Sequence, residues 1–217
     1  MTQVMNKKME CIKLPSKSTE ERIREAAKRV FLEKGFDGTT SRDIAEAAGM
    51  NIALTNYYFR SKEKLFLSIF DELSQLFFNG LVDIMNRPIS LREKIVELIE
   101  HDFRLMRENP SLPLFLMNEV HRNPDRIMGS IGIMKQIHQS LFDEQLQQEI
   151  KRGTVRPITA AQLMPMIFCN IQFLFISKAM HMKMWQVTEE QFYAFANEQK
   201  ELVINMITEF LFEPERA

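Results

Sequence analysis

The residues whose types and spacing suggest chemistry lie between Thr40 and Lys62. Thr40, Ser41 and Arg42 open a short segment with Ile44, Ala45 and Ala48 on one face, and Gly49 stops it. Asn51 can cap a second short helix ending near Tyr58. The spacing is that of a helix-turn-helix: Ala45 and Ala48 let two helices cross closely, and Gly49 tolerates the positive φ of the turn. The chemistry open to such a pair is recognition of a polyanion and of base edges. The second helix can lie in the major groove while the first crosses the backbone. Helix N-termini offer free N–H groups to phosphate oxygens, with Thr40, Ser41 and Arg42 at one such end and Lys62 at another. An alanine-rich hairpin with a glycine turn and no nucleic-acid role has the same spacing.

A second set of residues is notable for polarity on otherwise apolar stripes. Asp102 interrupts the stripe of Leu91, Ile95, Leu98, Ile99 and Leu105. His138 follows Ile127, Ile131 and Met134, and Asn170 and Gln172 lie in the apolar run after Thr159. Each must find a partner or lose hydration. The alternatives are hydrogen bonds within or between subunits, or contact with a small ligand beside Phe103, Met106, Met134 and Phe168. Eleven of the 15 Met lie after residue 65, where flexible thioethers suit either an adaptable pocket or core filling. His101 shares a face with Glu97, Arg104 and Glu108 and reads as solvated. Catalysis finds no foothold: the four His and two Cys show no HExxH or CxxC spacing, and there is no phosphate-binding glycine loop or GxSxG turn. Glu100-His101-Asp102 point in different directions on a helix and cannot form one site. No cofactor or metal is implied.

Helices must position these residues. Gly and Pro total 15 of 217, few for a turn-rich β fold, and no strand alternation stands out. Ser18–Glu21, Thr40–Asp43, Thr159–Gln162 and Thr188–Gln191 are capping boxes. Asn51, Ser61 and Ser111 can cap further helices, Asn123-Pro124 opens one reaching about Lys151, and Gly35, Gly49 and Gly153 are stops. Pro165 falls inside a helix and should bend it. The pattern predicts an all-α chain of about nine helices. Residues 1–17 read as a flexible basic arm, 18–64 as a three-helix DNA-binding domain, and 65–217 as a helical effector and dimerisation domain. Up to residue 65 there are 13 Lys and Arg against 9 Asp and Glu, and beyond it 15 against 20, a basic module on an acidic body. Unpaired cysteines, no apolar run of membrane-span length and no signal-peptide core suggest a cytoplasmic protein without a membrane partner.

The stretch TEERIREAAKRVFLEKGFDGTTSRDIAEAAGMNIALTNYYFRSKEKLF resembles the DNA-binding domain of the TetR/AcrR family of transcriptional regulators. The resemblance rests on A..VF.EKGF..TT, DIAEAAG and YYFRSKEKLF and on their mutual spacing. It implies a homodimer with three DNA-binding helices per subunit and a ligand-responsive C-terminal domain. It further implies that Thr40, Ser41 and Arg42 meet the backbone or nearby bases. Ile52, Ala53, Leu54 and Asn56, which follow Asn51, would face the major groove. Tyr57 or Tyr58 would help hold phosphate, and Lys62 would pair with it. Two positions depart from the common pattern: Thr55 stands where a buried Leu is usual and Asn56 where a Tyr is usual. Asn56 can read adenine through paired hydrogen bonds or touch phosphate, while Ile52, Ala53 and Leu54 offer apolar contact to thymine methyl groups.

The run from Met164 to Met180 is apolar on almost every face, and the last helix carries Phe192, Phe195, Gln199, Leu202, Met206 and Phe210 at steps of three and four. With Phe175, these residues suit a four-helix seam between two copies; the alternative is burial within one subunit. The expected function is a homodimeric repressor that binds a near-palindromic double-stranded operator and is released by a small apolar or amphipathic ligand. The alternative is a DNA-bound structural or protein-recruiting factor without an inducer.

Overall fold

A computed structural model of the protein describes residues 18–123 and 140–212. Ten α-helices occupy these residues: α1 Thr19–Gly38, α2 Ser41–Ala48, α3 Ile52–Tyr58, α4 Lys62–Asn86, α5 Leu91–Glu108, α6 Leu112–Arg122, α7 Leu141–Arg152, α8 Ala160–Ile176, α9 Lys178–Trp185 and α10 Glu189–Leu211. There is no multi-residue strand among the described residues, and one isolated antiparallel bridge joins Val155 to Phe212. The basic arm, Met134 and His138 lie outside the described residues.

The caps form as their chemistry dictates. Ser18–Glu21, Thr40–Asp43, Thr159–Gln162 and Thr188–Gln191 are complete capping boxes, and Ser90–Glu93 adds a fifth. Ser111 does not cap: its backbone is already helical (φ −86°, ψ −10°), so its hydroxyl makes no bond to the first turn. Gly35, at φ 69° and ψ −178°, breaks the helical path of α1, and a short turn runs on to Gly38.

Two expected helices do not run as one. The helix expected from Asn123-Pro124 to about Lys151 is interrupted at Ser140, whose extended backbone (ψ 155°) precedes α7; residues 124–139 lie outside the described residues. The apolar run after Thr159 breaks at Ser177, where α8 and α9 meet at 59°. Pro165 lies within α8, but the break comes well beyond it.

One apolar core runs from Ile23 to Leu211. In the small domain Ile23, Ala26, Ala27 and Phe31 of α1 meet Ile44 and Ala48 of α2, and Leu65, Phe66 and Ile69 of α4 join the same core. The boundary expected after residue 64 thus falls inside a continuous helix. Phe66 is the hub. Its ring lies 5.0 Å from Phe31, 4.9 Å from Phe36 and 5.7 Å from Phe115 on α6. Each such ring pair contributes about 0.5–1.5 kcal/mol beyond area burial. Arg24 and Lys28 bind Glu72 at 2.7 and 3.1 Å, tying α1 to α4, and Asp37 pairs with Arg122 of α6.

In the larger domain α5, α8 and α10 pack through a ring series, Phe103–Phe175 at 5.7 Å and Phe175–Phe192 at 6.3 Å. Lys94 is fully buried and donates to the Met85 carbonyl at 2.7 Å, closing the C-terminal end of α4. By length and hydropathy α4 could cross a membrane, yet half of its most apolar window is packed into this core.

Candidate nucleic-acid interface

The helix-turn-helix is held by bonds that leave its outer face open. Gly49 adopts φ 66° and ψ 38°, ending α2 with its N–H on the Ala45 and Glu46 carbonyls. Asn51 accepts from the Leu54 N–H at 2.7 Å, fixing the start of α3. Thr55 is buried, and its hydroxyl donates to the Asn51 carbonyl at 3.2 Å. Two arginines that sequence reasoning passed over position α2. Arg22 and Arg29 of α1 donate to the Ala48 and Ala47 carbonyls at 3.4 and 3.3 Å, at the negative end of that helix. Thr40 and Asp43 bond reciprocally, and Lys34 reaches Asp43 at 2.7 Å. Hydrogen bonds from Lys34 and then Thr40 hold the Asp43 carboxyl well below the usual range.

The exposed residues of this face are Arg42, Asn51, Ile52, Ala53, Leu54, Asn56, Tyr57 and Tyr58, with Ser41 half-exposed beside them. Tyr57 is 76% exposed and meets Tyr58 edge-on at 5.4 Å. Thr40 is also exposed, whereas its neighbour Thr39 is buried and donates to the Gly35 carbonyl at 2.6 Å.

Lys62 departs from its expected role. Its ammonium donates to the Phe36 and Thr39 carbonyls, both at 2.9 Å, and sits 4.1 Å from the Phe36 ring centroid. It closes the C-terminal end of α1 onto α4 instead of standing free for phosphate. The cations that do stand free are Arg42, Arg60 and Lys64, exposed and without a partner among the described residues. Arg60 and Lys64 line a cleft of about 290 Å³ with Tyr58, Ser61 and Ser68. Their signal in the sequence was position, immediately after the second helix of the motif.

The expected seam divides into two rows. Phe192 and Phe175 are buried in their own subunit's core and cannot face a partner. On α10 Phe192 shares the inner side with Ala196, Val203, Ile207 and Leu211. The outer row is Phe195, Leu202, Met206 and Phe210, 37–61% exposed, with Gln199 half-exposed among them. Phe173 of α8 and Met180, Met184 and Trp185 of α9 are also exposed apolar residues.

Inside the larger domain, Asp102 and Gln172 come together and Asn170 does not join them. Asp102 is fully buried. Its Oδ1 accepts from the Gln172 amide at 3.2 Å, while Oδ2 has no partner among the described residues. Burial pushes its carboxyl up to about 7, against a smaller lowering by Gln172. Met106 and Phe103 are buried on the same helix, and the half-buried Phe168 lies 5.7 Å from Phe77. Asn170 is exposed and donates to the Met166 carbonyl of its own helix at 2.6 Å.

His101 is not solvated as expected. Its ring lies against Gly80 of α4, where a Cβ would come within 2.2 Å of Cε1. Nε2 is buried without a partner among the described residues, and burial, then Arg104 and Arg87, lowers its pKa. Among the described residues no group of three His, Cys, Asp or Glu side chains could hold a metal ion.

Residues 23–69 match the family model described as bacterial regulatory proteins, tetR family. Among curated proteins, the "Probable HTH-type transcriptional regulator YttP" of Bacillus subtilis (strain 168) is 27% identical over 199 residues, 88% of this chain and 94% of that one. Among solved structures, a TetR family transcription regulator from Marinobacter aquaeolei VT8 superposes with a TM-score of 0.63 at 22% identity, covering 90% of this chain and 96% of that one. A transcriptional regulator from Saccharomonospora viridis, solved in complex with choline, gives 0.61 at 21% identity, covering 90% and 98%.

Proposed function

The chain belongs to the tetR family of bacterial regulatory proteins and is a transcription regulator; from that premise we propose that it acts as a homodimeric repressor of a near-palindromic operator, released by a small ligand. The observation that carries the proposal is the exposed outer face of α3, flanked by Arg42, Arg60 and Lys64, cations without a partner among the described residues. Such a face fits the major groove, with the cations on phosphates to either side. Thr40 and Ser41, at the start of α2, meet the backbone. Two copies are needed because half-sites lie about 34–36 Å apart or a multiple of that. The outer row of α10 supplies the apolar surface for pairing them.

The effector is proposed to dock against Asp102 and Gln172, with Phe103, Met106 and Phe168 as apolar walls. A buried carboxylate oxygen without a donor suits a ligand that brings a positive charge or an N–H group. The choline-bound neighbour of the same fold accords with a cationic ligand. A ligand there presses on α5 and α8, and α5 lies against α4 through His101 and Gly80. The Phe66 hub and the Asp37–Arg122 pair carry a shift of α4 and α6 to the DNA-binding helices. Coupling of about 1–3 kcal/mol would change DNA affinity some 5- to 150-fold.

The test is a fluorescence-anisotropy titration of the full chain with duplexes flanking its own gene, at low salt, repeated with a panel of quaternary and primary amines. A saturable complex of two chains per site, weakened by at least one amine in wild type and by none in Asp102→Asn, is expected. Binding indifferent to every compound removes the inducer and leaves a constitutive DNA-bound factor.

A further inference from the structure

The seven residues of α3, Ile-Ala-Leu-Thr-Asn-Tyr-Tyr, include no charged side chain. Thr55 is turned into the core, at 3% exposure. Successive helical side chains are rotated by about 100°, so Ala53 and Tyr57 point directly away from Thr55, flanked by Leu54 and Asn56. These four are the side chains that enter a groove when α3 lies in it. Two of them present carbon alone, the Ala53 methyl and the Leu54 isobutyl group, and Tyr57 presents a ring tipped by one hydroxyl. Asn56, exposed and without a partner among the described residues, presents one donor group and one acceptor.

Guanine is read in the major groove through O6 and N7 by Arg or Lys, and α3 carries neither. The free cations Arg42, Arg60 and Lys64 lie on α2, on the α3–α4 turn and on α4, beside α3 and not on it. The major-groove feature of a base pair that rewards an apolar side chain is the 5-methyl group of thymine. The feature that a carboxamide reads by two bonds is the N6/N7 edge of adenine. We infer that α3 reads its half-site through thymine 5-methyl groups held against Ala53, Leu54 and Tyr57, with Asn56 on a neighbouring adenine. The operator core under each α3 is therefore rich in A·T pairs and depends on methyl groups more than on hydrogen bonds.

The inference rests on the DNA-binding proposal above, and its experiment separates the two. The full chain is used to select duplexes from a random-sequence pool at low ionic strength. Single thymines of the preferred half-site are then replaced by deoxyuridine, which keeps every hydrogen bond and removes only the methyl. Binding should weaken about three- to fivefold for each contacted methyl lost. In Leu54→Ala the penalty at one thymine should disappear, with helix content and dimer mass unchanged. The deoxyuridine arm leaves the protein untouched, so it does not depend on any variant folding. A half-site whose most strongly fixed positions are guanines, or uracil duplexes bound as tightly as thymine ones, overturns the inference while DNA binding stands. Recovery of no duplex at all overturns both.

Discussion

Among the described residues α3 and α10 each leave an apolar face uncovered, and the two faces differ in what surrounds them. The face of α3 is one short helix long and has the free cations Arg42, Arg60 and Lys64 at its margins. The face of α10 runs from Phe195 to Phe210 and has the exposed acids Glu198, Glu201 and Glu209 beside it. An apolar strip within a cationic frame complements a polyanion with methyl groups at its centre. An apolar strip several turns long, edged with carboxylates, repels nucleic acid and suits another protein surface. The margin, more than the strip, tells the two occupants apart.

Charge placed on either strip breaks this comparison in different ways. Leu202→Glu with Met206→Glu should abolish the dimer at micromolar concentration and lower operator affinity by about 100-fold or more, because one half-site contributes little alone. Sedimentation of an intact dimer in that variant would refute the seam.

The interior holds the converse case, a carboxyl with one oxygen that meets no donor among the described residues. Asp102 has a pKa of about 7 in the folded protein, against about 3.9 when unfolded. The folded chain therefore binds the extra proton, and stability falls as pH rises from about 4 to about 7, at a cost of roughly 4 kcal/mol above that window. Asp102→Asn should match the wild type in urea at pH 4 and exceed it by roughly 2–4 kcal/mol at pH 8. Coincident urea midpoints at pH 8 would show that the second oxygen is satisfied.

A smaller effect separates two lysines at one margin. Lys62→Ala removes two bonds to carbonyls and should cost about 2 kcal/mol of stability without altering the salt slope of DNA binding. Lys64→Ala should leave the melting temperature in place and reduce that slope by about 0.9. The reverse pattern would restore Lys62 to the phosphate.

What was legible in the sequence follows from how far each interaction reaches. A helix cap needs a partner three residues away, so Thr40 with Asp43 and Asn51 ahead of Leu54 could be read directly. The role of Lys62 could not, because its acceptors lie at the end of another helix and just past it, 26 and 23 residues away. The same holds for Arg22 and Arg29, whose targets are backbone atoms with no side-chain signature. The helix α10 is apolar on two sides, so periodicity found both rows without telling Phe192, which is inside, from Phe195, which is outside. The apolar pattern also runs on through Ser177, hiding the break there. His101 looked solvated because its own helix face is charged; the missing information was a glycine on the neighbouring helix with room for an imidazole.

The break at Ser177 has a practical outcome. It turns α9 aside, and the chain's single tryptophan, Trp185, ends that helix 65% exposed, beside His181 and Phe195 at the start of the outer row. The molecule thus carries its own optical probe. Indole emission moves to shorter wavelength when water leaves the ring, so if the outer row of α10 pairs two subunits as proposed, dilution of the unlabelled protein in a cuvette would read out their association, with no other indole in the chain to obscure it.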